Sequence, residues 1–196
     1  MKIKDIIKRQ GRSFSLEVFP PKSKEAEDQL LHSLKELESL NISFVSVTCG
    51  AGGNVSKNTP HVIKRVKDET SLLPMPHLTC IAQSEEQLQA ALTGYKNGGI
   101  ENILALRGDP PKEATQPIPL QGKYCHASDL VQLIASFKTF CIGVGVYPEG
   151  HPESPNLTVD MLHTKEKAEA GADFAITQML FENRFFYDYV ERAEKA

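Results

Sequence analysis

The chain has 196 residues, 40% apolar and 24% charged, with a formal net charge of −3 and a pI near 6.1. That balance fits one globular domain over residues 1–196, with enough chain to bury a sizeable core. It argues against a nucleic-acid binder, because Lys and Arg are scattered rather than massed. It also argues against a membrane protein, because no apolar run approaches the ~20 residues of a membrane span.

The opening MKIKDIIKRQGRS lacks a signal-peptide apolar core and reads as a short amphipathic helix. Ser13–Pro21 is the first predicted strand and carries Glu17; a helix with Leu at helical spacing follows near Lys24–Leu40. Phe44–Gly50 is the second strand and ends on Thr48 and Cys49. The loop AGGNVSKN then leads to a helix over Thr59–Glu69, with Asn58 or Thr59 as its cap and Pro60 in its first turn. Met75–Ala82 is the third strand, with His77 early in it. Its helix, Ser84–Asn97, opens on a capping-box pattern and stops at Gly98-Gly99.

Asn102–Asp109 is the fourth strand and finishes in Arg107-Gly108-Asp109. A polar, Pro-rich insert, Pro110–Tyr124, separates it from a helix over Ala127–Lys138. Cys141–Pro148 reaches Tyr147, and the loop GHPESPN leads to a helix over Val159–Ala170 that Gly171 ends. Phe174–Phe181 holds Gln178 and precedes the last helix, Arg184–Ala196.

Strict strand–helix alternation predicts a parallel sheet with right-handed crossovers. Either an open doubly wound sheet or a (β/α)8 TIM barrel fits. No Gly-x-Gly-x-x-Gly opens a helix, and Gly143-Val-Gly145 lies inside an apolar run, where strand packing explains it. The barrel is therefore favoured. A barrel needs eight units and typically ~250 residues, whereas about six βα units are present. The expectation is a C-terminally incomplete barrel, with its first and last strands left as edges.

Polar residues at strand C-termini converge on one rim in such a barrel, where sites are assembled from several strands. A carboxylate in an apolar strand is costly to ionise once desolvated, which suits Glu17 to general acid work. Arg107 and Asp109 could clamp a polar ligand or each other. His151 follows a strand among turn residues and suits a phosphate or ribose. Asp160, His163 and Lys167 recur on one helical face, either as ligands or as a solvated surface. The Gln178 amide could read a heterocycle edge or bond to neighbouring backbone. No tight His or carboxylate triad supports a metal site. Cys49, Cys80, Cys125 and Cys141 form no Cys-x-x-Cys pair and read as small buried hydrophobes in a reducing, cytoplasmic setting.

The segments FSLEVFPPKS, FVSVTCGAGG, PHLTC, NILALRGDPP, HASDLV, GVGVYPEGHPE and EKAEAGADFAITQMLF together resemble the methylenetetrahydrofolate reductase family, in the family's order and over nearly the whole chain. The resemblance implies a barrel holding FAD at its C-terminal rim. Hydride passes from NADH or NADPH through FAD to methylenetetrahydrofolate, and a flavin shared by both half-reactions needs no separate dinucleotide fold. It implies that Glu17 is the general acid and that Asp109 and Gln178 bind the folate. Thr48, Cys49, His77, Arg107, Gly108, Asp109, His126, Ala127, Tyr147, His151, Asp160, His163 and Lys167 are implied to line FAD. Cys49 and His126 stand where relatives often have aromatic residues, His163 where a relative can have Asn, and Glu166 where some relatives have Arg and others Glu. The family's last two units supply further folate and nicotinamide contacts that this chain lacks. Relatives are homo-oligomers, so oligomerisation is expected of the full-length protein. A non-catalytic flavin- or folate-binding barrel, or another enzyme on the same scaffold, is the alternative.

Overall fold

The computed structural model describes residues 1–49, 58–109 and 123–196. The loop AGGNVSKN, except Asn58, and the Pro-rich insert, except Lys123 and Tyr124, lie outside the described residues. Helix α1 (Ile3–Gln10) leads into six strands, each followed by a helix. These are β1 (Phe14–Val18), α2 (Lys24–Leu37), β2 (Ile42–Val47), α3 (Thr59–Glu69), β3 (Pro74–Thr79) and α4 (Glu85–Asn97). Then come β4 (Asn102–Leu106), α5 (Ala127–Ser136), β5 (Cys141–Val146), α6 (Leu157–Glu169), β6 (Phe174–Thr177) and α7 (Asn183–Lys195). The six strands form one sheet in sequence order, and every pairing is parallel. This is the strand order of a TIM barrel, with β1 and β6 at the two edges, as the sequence predicts.

Strand pleating sorts the side chains into two layers. Val45, Val47, Leu78, Ile103, Ala105, Ile142 and Val144 pack outward against buried residues of the helices, among them Leu31, Val62, Leu88 and Ile134. Residues of the opposite parity turn inward: Phe44, Met75, Leu104 and Cys141 join Ile3 of α1 in a second cluster, with Phe174 and Ile176 against it. Residues on β2, β3, β4 and β5 can share such a cluster only if the sheet curls. Gly143 sits opposite Phe174 in the register. A Cβ there would lie 2.7 Å from the Phe174 ring, so strand packing accounts for the Gly-Val-Gly pattern.

Helix α1 closes the end of the sheet where the strands begin. The Ile3 amide donates to Asn102 Oδ1 at 2.8 Å, and Asn102 Nδ2 donates to the Met1 carbonyl at 3.1 Å. Lys4 Nζ reaches Asp173 at 2.7 Å, and Asp173 also accepts the Ile142 amide at 2.9 Å. The opposite end, where the strands finish, is left for chemistry.

The expected capping box on α4 is present: Ser84 accepts from the Gln87 amide while Gln87 accepts from the Ser84 amide. Asn58 stands at the α3 cap position but does not cap it. Its Nδ2 donates instead to the Pro21 carbonyl at 2.9 Å and to Glu27 at 3.2 Å, tying the loop after β1 to α2 and α3. Helix α6 starts two residues earlier than predicted because Asn156 caps it, accepting the Val159 amide at 3.0 Å. Among the described residues, no helix is long and apolar enough to cross a membrane.

Candidate active site

Glu17 turns inward from β1, opposite Ser46 in the register. Its carboxylate lies 3.4 Å from Ser46 Oγ and 3.6 Å from His77 Nε2. The desolvation expected of Glu17 is not found: its side chain is 56% exposed. β1 is an edge of the sheet, and among the described residues no further strand covers the carboxylate. His77, by contrast, is buried, and its Nε2 has no hydrogen-bond partner. Burial pushes the imidazole below its ordinary 6.5, while the Glu17 carboxylate pulls it back up.

Thr48 follows β2; its amide bonds the Val18 carbonyl at 3.0 Å, and its buried Oγ1 has no partner. Cys49 is half-buried, with Sγ 3.9 Å from Thr79 Oγ1, and burial raises its thiol. Of the four cysteines, only Cys80 and Cys141 are fully buried as expected. Cys49, His77 and Thr79 also border a cavity of about 540 Å³ that extends beneath α3 and α4.

The second group surrounds a cavity of about 250 Å³ beyond the ends of β4 and β5. Eight expected residues line it: Arg107, His126, Ala127, Tyr147, His151, Asp160, His163 and Lys167. Arg107 forms a two-pronged pair with Glu153, at 2.5 and 2.7 Å, rather than with Asp109. The pairing raises the guanidinium and lowers the carboxyl. The Tyr147 and His151 rings meet edge-on at 4.6 Å between centroids. Burial raises the Tyr147 hydroxyl, and the Asp109 charge adds to it. Buried Asp160 accepts from Ser154 Oγ at 3.0 Å. Lys167 donates to the Gly145 carbonyl at 2.8 Å; burial lowers its ammonium and Asp160 opposes that. The predicted face of α6 therefore splits. Asp160 and Lys167 turn in, while His163 stays half-exposed and pairs with Glu166 at 3.0 Å.

The first turn of α5, with His126 and Ala127, has its own anion: Asp129 accepts the Cys125 and His126 amides at 3.0 and 2.8 Å. Gly108 takes φ +86°, which favours glycine, and a Cβ added there would run into Thr79 and Ile81. Asp109 is exposed at the rim. Gln178 is exposed after β6, and its Oε1 accepts the Met179 amide at 3.0 Å, which is the backbone-satisfied alternative. Glu17, Asp109 and Gln178 thus share the rim without touching. Ser46, Thr79, Glu153 and Ser154 escaped the sequence reading. Ser46 was findable from pleat parity with Thr48; the others needed three-dimensional neighbours. Among the described residues, no three His, Cys, Asp or Glu are grouped to hold a metal.

The family model for methylenetetrahydrofolate reductase matches residues 2–196. The chain is 41% identical over 188 residues to the 5,10-methylenetetrahydrofolate reductase of Escherichia coli (strain K12), covering 95% of this chain and 62% of that protein. It is 34% identical over 200 residues to methylenetetrahydrofolate reductase (NADH) 1 of Arabidopsis thaliana, covering 96% of this chain and 34% of that one. The chain spans about three-fifths of the bacterial relatives it matches. Its fold is similar to that of a solved Clostridium thermocellum protein, described as uncharacterized and binding two copies of 5-methyl-5,6,7,8-tetrahydrofolic acid. The TM-score is 0.67 at 12% identity, over 100% of this chain and 64% of that one. At that identity the likeness concerns the fold alone.

Proposed function

The chain belongs to the methylenetetrahydrofolate reductase family, and on that premise we propose that it serves FAD-dependent reduction of 5,10-methylenetetrahydrofolate to 5-methyltetrahydrofolate, with NADH or NADPH as the hydride source. One observation carries the reading: eight side chains, from α5, α6 and the connections after β4 and β5, line a single cavity. The residues fit a flavin dinucleotide. Two cations, Arg107 and Lys167, border that cavity, and outside its lining, on the β2–β3 side, buried Thr48 Oγ1 and His77 Nε2 are unpartnered. When bound, FAD would supply the hydride relay between the nicotinamide and the folate.

Lys167 and Arg107 would hold the diphosphate, Arg107 after giving up Glu153. Asp160 would keep Lys167 charged despite its burial. The Tyr147–His151 ring pair would offer an apolar wall with one polar edge. Asp109 and Gln178, both exposed at the rim, would orient the pterin through its donor–acceptor edge, Gln178 after releasing the Met179 amide. Glu17 would hold the proton delivered to the folate nitrogen, opening the methylene bridge to an electrophilic iminium. The same reading proposes residues 1–196 as barrel-domain sequence of a cytoplasmic homo-oligomer.

The experiment separates the half-reactions. The full-length protein that contains this sequence should take up FAD and show the visible flavin spectrum, whereas the 196-residue chain alone should bind it weakly or not at all. Glu17→Gln should abolish folate reduction and spare NADH–menadione turnover. Equal loss in both would make Glu17 structural, and no flavin uptake by the full-length protein would overturn the reading.

A further inference from the structure

Ser46 is given no role in the proposed reaction and His77 only a place beside FAD, yet both flank its acid. Glu17 and Ser46 are register partners on β1 and β2, and Ser46 in turn pairs with Met75, two residues before His77 on β3. Successive inward positions therefore bring a carboxylate, a hydroxyl and an imidazole together from three parallel strands. Ser46 Oγ stands 3.4 Å from Glu17 Oε2 and also 3.4 Å from the Leu16 carbonyl. His77 Nε2 faces the same carboxylate oxygen at 3.6 Å and has no other partner. At that distance the interaction is electrostatic rather than a formed hydrogen bond. His77 is nine-tenths buried, so its ring is held by the wall, while Glu17 reaches out from the open edge.

We propose that His77 is the positioning residue of Glu17: its Nε2 fixes one carboxylate oxygen towards the barrel wall, leaves the other free for substrate, and ties the charge of the acid to that of the ring. The inference rests on the reading of Glu17 as the proton donor, but the coupling itself can be measured without it. Once the proton has left Glu17, a donor at Nε2 stabilises the carboxylate, and a carboxylate within 4 Å favours the imidazolium. The two effects are reciprocal, as linkage requires.

The groups around His77 are few. On β1 stands Glu17, on β2 the uncharged Ser46, just after β2 the uncharged Thr48, and on β4 its register partner is the apolar Leu104. On β3 it has Thr79, beyond which stands the Cys49 thiol. Among the described residues, Glu17 is the charge that acts on the ring.

The test follows the His77 imidazole by proton–nitrogen NMR across pH in the 196-residue protein and in Glu17→Gln, with no flavin or folate added. His32, exposed on α2 beside Glu36, is the internal reference. The titration midpoint of His77 should move to lower pH in Glu17→Gln, and that of His32 should stay. A His77 midpoint that does not move, or that moves only as far as that of His32, overturns the proposal. As a second arm, Ser46→Ala removes the hydroxyl and keeps the carboxylate; it should leave the His77 midpoint close to that of the parent. A Ser46→Ala shift as large as that of Glu17→Gln would mean the ring senses packing rather than charge, and the proposal would fall. Should the full-length protein fail to reduce folate with FAD present, the reductase reading falls, while the NMR coupling stands or falls on its own result.

Discussion

Lys167 Nζ on α6 donates to the Gly145 carbonyl on β5 at 2.8 Å, carrying a cation into a mostly buried position beside the cavity. A buried ammonium is costly unless compensated, and a single carbonyl with a nearby Asp160 compensates it only in part. An anionic ligand would complete the compensation. Lys167→Met should therefore weaken FAD binding at least tenfold while leaving the melting temperature of the flavin-free protein unchanged or higher. Isothermal titration with FAD and a thermal melt without it check both halves. A melt that falls together with affinity would make Lys167 merely structural.

Arg107 and Glu153 make the best-formed ion pair in the site, but Glu153 is 61% exposed. Solvent screening limits such a pair to about 1 kcal/mol or less. Glu153→Gln should barely move the melting temperature. By freeing the guanidinium for phosphate it should tighten FAD binding, which a fluorescence titration would read. Arg107→Lys should weaken FAD binding, because an ammonium cannot reproduce the two-pronged geometry.

Gly108 couples a left-handed backbone to a site that leaves no room for a Cβ. An added Cβ would meet Ile81 at 2.8 Å and Thr79 at 2.9 Å. Gly108→Ala should cost about 1–3 kcal/mol through overpacking and backbone strain. Urea denaturation should show a lower midpoint with an unchanged slope. Because the neighbours, Thr79 at the end of β3 and Ile81 just beyond it, follow closely on His77, flavin affinity should fall as well.

Asn102 is buried at the far end of the sheet and satisfies both the Ile3 amide and the Met1 carbonyl. Asn102→Ala strands a buried amide and should cost about 1–3 kcal/mol. The loss should appear as faster hydrogen exchange across α1, with no change at the rim some strand-lengths away.

His77 makes stability depend on acid. Its folded value lies below the 6.5 of a free imidazole, chiefly through burial. Below 6.5 the unfolded chain takes up a proton that the folded chain refuses, so stability falls as pH drops from 6.5 through the folded value. Glu17→Gln removes the one influence that pulls the ring upward and should steepen that loss. Chemical denaturation of both proteins on either side of 6.5 tests the sign.

The architecture was legible because it is periodic. Alternation along β2 through β5, the Ser84 cap and the glycine stops are local patterns, and each follows from pleating, hydrogen-bond satisfaction at helix ends or backbone freedom. The same periodicity assigned Glu17 to the face opposite Leu16 and Val18, and the register agrees. The family motifs extended that reading to the cavity residues, eight of which do converge.

Other features came only from the tertiary structure. Arg107 had two candidate partners in sequence, and the loop after β5 supplied a third, Glu153. Asn58 stands at the α3 cap position without capping it, and its amide nitrogen instead reaches the Pro21 carbonyl and Glu27. Glu17 was expected to be desolvated and is not, because burial at an edge strand depends on what lies beside it. Chain-local energies decide where strands and helices form. Which side chains meet, and how wet they are, is decided by contacts between residues tens of positions apart, and no spacing along the chain encodes those distances.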